Sequence, residues 1–308
     1  MLIKEISEVN NWIPFNTFKD LRKIKAYLNL AELESLVPVL GEKLYEYLQN
    51  MYDSGEHEND KVTNLLLQYS QAIIVNFGIY KALPMLNITI NQSGGLTVTV
   101  NENTLAASKD RSDKLAEGLL TQAHNYKEQL LLFLERESKR FTDDKGEELW
   151  KQSPFYWEQT GCLIFTAKEF NNIVYINDSR LKFCQLYPAI KLIERTVIRP
   201  AFSDKLINRL IEGKMNHSLN LEERILLLRL QTALALLTIE TDKDLSLPDT
   251  IHGEKNFDAK VMAENELSLA RKFLKDHPDE YPEYPGNKAG SLPEQKKCNY
   301  MLILGGTD

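Results

Sequence analysis

Apolar residues near the start of the chain fall at helical spacing. Ile24, Tyr27, Leu28, Ala31, Leu33 and Leu36 recur three or four positions apart, the mark of a helix with one buried face. Pro38 has no N–H and disfavours helix at the residue before it, so this helix is expected to stop near Val37. The next helix is expected to restart around Gly41-Glu42, with the acid near its positive end. Longer helical patterns follow from Val62 to Leu83 and from Lys114 to Ser138. Between them the period changes to two. Ile88 and Ile90 alternate with Thr89 and Asn91, and Leu96, Val98 and Val100 alternate with Thr97 and Thr99. Ser93-Gly94-Gly95 lies between the two runs, so 86–100 is expected to be a β-hairpin.

The pattern then recurs at an offset of 162, which carries Glu32 onto Glu194 and Pro38 onto Pro200. Leu30/Leu192, Lys43/Lys205, Leu44/Leu206 and Leu48/Leu210 also match, and Leu36/Ile198 and Leu40/Phe202 are similar. In the second copy Ser203 is placed to cap the helix after the proline, and Asp204 supplies the acid. Helices are again expected from Leu221 to Ile239 and from Asp258 to Lys275. The fold class is therefore mainly α: a duplicated helical unit, with a β-hairpin inserted in the first copy. The expected division is 1–140 for the first repeat, 141–165 for a charged linker, 166–285 for the second repeat and 286–308 for a tail. That tail holds the apolar run Tyr300-Met301-Leu302-Ile303-Leu304, which is expected to pack or to dock on a neighbour.

Composition narrows the function more than the fold. The chain has 308 residues with Lys+Arg 37 against Asp+Glu 44, a formal net charge of −7. A tight nucleic-acid binder needs a cationic surplus, so none is expected, although an acidic protein can still surround DNA. No apolar run is long enough to cross a bilayer, so no membrane partner is expected. Cys162, Cys184 and Cys298 are few, odd in number and without CxxC spacing, as expected for free thiols in a reducing compartment.

Candidate chemistry is sparse. The five histidines are scattered, and no HExxH, GxSxG, P-loop or GxGxxG pattern occurs. Glu32 and Glu194 are the repeated acids of the apolar helix. As symmetric ligands or acid–base groups they would need a converging partner. As structural carboxylates they would bond the backbone at the proline corner or a nearby Arg, and no His or Cys repeats beside them. No catalytic residue, metal or cofactor is assigned. The residues singled out are structural (Glu32, Pro38, Gly41, Leu44, Glu194, Pro200, Ser203 and Leu206) or candidate subunit contacts (Ile88, Ile90, Leu96, Val98, Val100, Leu302 and Ile303).

Leu28-x-Leu30-Ala31-Glu32, followed by Leu36-x-Pro38-x-Leu40-Gly41-x-x-Leu44-Tyr45, resembles the opening signature of an uncharacterised family of helical proteins encoded in phages and prophages of gut bacteria. Phe165-Thr166-Ala167-Lys168-Glu169-Phe170 is similar to that family too. The resemblance implies a non-enzymatic virion-assembly protein, a head–tail connector or neck-like subunit. It further implies self-association, contacts with other phage structural proteins, and a place in the virion or the host cytoplasm. The alternative is a soluble helical protein-binding or regulatory module with no virion role. An enzyme would require Glu32 and Glu194 to meet around a metal.

Overall fold

The computed structural model describes residues 1–13, 20–86, 88–90, 96–98, 109–241 and 258–287. The chain is mainly helical and falls into two compact units. Unit 1 comprises Met1–Glu158 and Ile176–Gln185; unit 2 comprises Gln159–Tyr175 and Leu186–Asp308.

In unit 1 a short helix α1 (Ile6–Asn10) precedes α2 (Lys25–Ala31). The helical path then widens into a π-turn, Glu32–Leu36, and tightens again as α3 (Val37–Leu40). Gly41, at φ 74° and ψ 159°, breaks the path, and α4 (Glu42–Ser54) leaves at a new angle. Glycine suits this position because a side chain is strained at positive φ. Asp60 then caps α5 (Lys61–Leu86), accepting from the Val62 and Thr63 amides at 3.1 Å each. The middle of α5 is buried all round, with Ile73, Ile74, Val75, Phe77 and Ile79 in the core. α2 crosses α5 at Gly78, where an added Cβ would lie 2.7 Å from a Leu28 methyl and 3.1 Å from the Leu28 Cα. α6 (Lys109–Glu137) packs along α5. Strands β1 (Ile88–Ile90) and β2 (Leu96–Val98) pair antiparallel, with Ile88 opposite Val98, Thr89 opposite Thr97 and Ile90 opposite Leu96. The intended turn, 91–95, and Val100 lie outside the described residues.

Unit 2 contains α7 (Ala167–Asn171) and the part of α8 (Arg180–Ile193) from Leu186 onward, the residues up to Gln185 belonging to unit 1. A π-turn, Glu194–Ile198, follows, then α9 (Arg199–Phe202). Ser203 stands at the break with φ 77° and ψ 146°, nearly the backbone of Gly41. Its Oγ accepts from the Leu206 amide at the start of α10 (Asp204–Met215). Asn220 caps α11 (Leu221–Thr241) through a reciprocal pair: its Oδ1 accepts the Glu223 N–H at 2.8 Å while Glu223 accepts the Asn220 N–H at 3.1 Å. α12 (Ala259–Asp276) packs against α11.

Three expectations need correction. The first helix does not stop near Val37. The Val37 N–H reaches back five residues to the Glu32 carbonyl. This wide turn gives Pro38 room, because the ring falls in the first turn after the π-turn, where its missing N–H is not required. Leu33 was expected on the buried face and is exposed, because the contact stripe runs through Leu28, Glu32, Leu36 and Leu40. The linker 141–165 is not one segment. Phe141 and Trp150 are buried in the core of unit 1, whereas Gln159–Phe165 belongs to unit 2. Trp150 donates Nε1–H to the Val39 carbonyl at 2.8 Å, and Ser153 Oγ donates to the same oxygen at 2.8 Å, so this segment satisfies the end of α3.

Candidate functional site

Among the described residues the most deeply buried charged side chains sit on the π-turns. In unit 1 Glu32 is 3 % exposed. Its Oε1 accepts the Leu2 N–H at 2.8 Å, and the Tyr45 hydroxyl bonds the same carboxylate. The Leu2 carbonyl is held from the other side by Gln71 of α5, whose Nε2 donates at 2.9 Å. Both backbone groups of one residue are thus read by two side chains, and Leu2 and Ile3 are fully buried. Gln71 donates a second bond to Glu8 Oε1 at 2.9 Å, and the Tyr52 hydroxyl donates to that oxygen at 2.6 Å. Glu8 Oε2 folds back to accept from the Lys4 and Glu5 amides at 2.7 and 2.8 Å. Burial pushes the Glu8 carboxyl up, but the Tyr52, Glu5, Lys4 and Gln71 donors outweigh it and hold the group below its ordinary value. Burial and the neighbouring Glu32 push Tyr45 up to about 12.

Unit 2 has the same clasp with different accessories. Glu194 is 2 % exposed, and its Oε2 accepts the Leu163 N–H at 2.7 Å. Gln231 of α11 donates to the Leu163 carbonyl at 2.8 Å. Glu169 folds back on the Phe165 amide at 2.7 Å and takes Lys214 Nζ at 2.7 Å, where unit 1 uses Tyr52. The free oxygen of Glu194 meets Arg199, with Nε at 3.0 Å. Burial outweighs the Leu163 amide and Arg199 and leaves the Glu194 carboxyl raised. Beside it, Cys162 donates Sγ–H to the Ile164 carbonyl at 2.9 Å, and burial pushes this thiol up to about 12. A thiol kept protonated is a poor nucleophile or metal ligand. Burial likewise pushes Cys184 up to about 12.

The sequence-predicted residues fall into place by unit. Glu32, Pro38, Gly41 and Leu44 line the turn of unit 1; Glu194, Pro200, Ser203 and Leu206 line that of unit 2. The carboxylates bond the backbone of a distant segment, Leu2 or Leu163, and not the backbone of the proline corner; Arg199 is the nearby arginine for Glu194. Of the candidate subunit contacts, Ile88, Ile90, Leu96 and Val98 lie in β1 and β2, and Val100, Leu302 and Ile303 lie outside the described residues. Sequence reasoning missed Gln71, Gln231, Glu8 and Glu169. A signal for the last two was present: Leu-Ile opens both segments, at 2–3 and 163–164, with a glutamate at the same distance beyond. Among the described residues no group of three or more His, Cys, Asp or Glu side chains could hold a metal ion. No helix among them is long and apolar enough to cross a membrane.

What the arrangement does chemically is fix backbone. Each carboxylate accepts hydrogen bonds from donors of its own chain. A family of unknown function (DUF6712) matches residues 36–149, a stretch within unit 1 that starts inside the π-turn and ends beside Trp150. No curated protein and no solved structure matches the chain.

Proposed function

We propose that this chain is a non-enzymatic structural subunit, made of two copies of one helical unit, that acts in phage virion assembly as a head–tail connector or neck-like component. The observation that carries the reading is the doubled clasp. Glutamate on a π-turn, glutamine on the following long helix and a folded-back second glutamate recur in both units on equivalent residues. The buried acids are bonded to backbone and side chains of their own unit and hold the architecture, as suits a scaffold. The resemblance of the Leu28–Tyr45 segment supplies the phage setting. Self-association through the 86–100 hairpin or the 298–306 tail, and contact with other phage structural proteins without a tight grip on nucleic acid, belong to this reading.

Proteomics of purified virions tests it, together with electron microscopy of particles from a phage in which the gene is inactivated. The chain is expected in the virion, and its loss is expected to leave heads and tails unjoined. Normal particles lacking the chain would overturn the reading.

A further inference from the structure

We infer that the outward face of α11 docks a second copy of this chain, with the two helices antiparallel. This deepens the assembly reading and rests on it. The face consists of Leu221, Ile225 and Leu228, which are 73 %, 45 % and 56 % exposed. Exposed leucines taken singly mean little. Here the molecule contains its own control. In α5 the positions that correspond, with Gln71 laid on Gln231, are Lys61, Leu65 and Gln68, and they are exposed in the same order along the helix. The buried positions between them correspond as well: Thr63, Leu66, Leu67 and Ser70 against Glu223, Leu226, Leu227 and Leu230. At these three matched exposed positions unit 1 carries Lys61, Leu65 and Gln68, mostly polar, and unit 2 carries Leu221, Ile225 and Leu228, all apolar, with exposed Glu222 and Arg224 beside them.

Spacing and charge point to the occupant. Leu221, Ile225, Leu228 and Thr232 follow one another by four, three and four residues, the seam of a two-stranded helical pair. One flank of this seam has Glu222 near its N-terminal end and Arg229 near its C-terminal end. Antiparallel self-pairing brings Glu222 of each copy against the partner's Arg229 and sets the helix dipoles head to tail. Arg229 already holds Glu266 at 3.0 Å, which fixes its guanidinium at the edge of the stripe. A stripe of this kind is self-complementary, which a surface built for an unrelated partner need not be.

Sedimentation velocity of the full chain over a wide concentration range tests the inference. The wild type is expected to show a concentration-dependent dimer. The double substitution L221K/L228Q installs the residues that unit 1 tolerates at the corresponding positions. It is expected to weaken the dimer at least tenfold while leaving the circular dichroism spectrum unchanged. E222R, which places like charges together twice, is expected to weaken it more at low salt than at high salt. Self-association that resists both variants would overturn the α11 interface and leave the assembly reading standing. Loss of association only on truncation after Asn287 would do the same and place the contact in the tail. A wild type that stays monomeric throughout would overturn the inference, while presence in virions would still decide the assembly reading separately.

Discussion

At the scale of single residues, the two carboxylates of the π-turns differ in what they leave behind when removed. Glu194→Ala strips the Leu163 amide of its acceptor and leaves Arg199 with only Asp204 and Asn208, and a broken buried ion pair costs about 3–5 kcal/mol. Because Arg199 keeps 20 % of its side chain in solvent, the lower end is expected. Glu32→Ala orphans one buried amide and a tyrosine hydroxyl, worth about 1–3 kcal/mol. Urea unfolding followed by circular dichroism measures both. The Glu8 carboxyl gives a pH signature. Its value in the fold lies below the 4.5 of an ordinary glutamate, so its contribution is in place above that pH and fades as acid titrates the folded group. Glu8→Gln is expected to flatten the acid limb of a stability-against-pH curve and to leave the neutral region nearly parallel to the wild type. A steeper acid limb would contradict the assignment. The importance of Glu32 and Glu194 was legible in the sequence because one residue type recurs at one offset. Gln71 and Gln231 were not, since a glutamine on a buried helix is told from any other polar residue only by the carbonyl it faces.

At the scale of elements, helix crossing and helix ends decide. Gly78→Ala would gain about 1 kcal/mol of helix propensity. It also drives a methyl against the backbone of Leu28, which cannot move aside as a side-chain tip can. Overpacking of this kind costs about 1–3 kcal/mol, so net destabilisation is expected from thermal melting. The helix breaks offer a paired test. Gly41→Ala puts a side chain at φ 74° and is expected to cost about 1–3 kcal/mol. Ser203→Gly relieves the same backbone at φ 77° and gives up only a 3.3 Å cap bond, so a small gain is expected. α8 is capped from outside its own sequence: Glu128 of α6 accepts from Ser179 Oγ and from the Arg180 and Leu181 amides. Glu128→Ala should speed hydrogen exchange at those two amides and cost about 1 kcal/mol. The proline corner was legible as a break near the right place, but its form was not. Proline rules describe α geometry, and the wide turn suspends them for one step.

For the whole molecule, two compact units with separate clasps predict unfolding that is not two-state. Calorimetry of the Glu194→Ala chain is expected to move one transition down and leave the other in place. The helical class was legible from periodicity alone. The division of the chain was less so. The charged stretch 141–165 reads as a linker, yet Phe141 and Trp150 tie its first part into the core of unit 1, and burial of one tryptophan outweighs several exposed charges. The π-turn sets a further constraint on this chain. In an α-helix each four-residue step rotates the contact stripe by about 40°, so the sequence of contacts at 28, 32, 36 and 40 would wander off the core. The wide turn takes up the excess and works as a phase corrector for the helix. Deleting one residue there, Ser35 or Thr196, would restore ordinary helix and leave everything beyond it at nearly the same angle to what precedes, because the wide turn is where the extra residue is absorbed. The acid and the break after it would still face the same core, whereas the same deletion in the ordinary helix on either side would turn them away by about 100°, so this short turn is where the length of the helix can change by one residue.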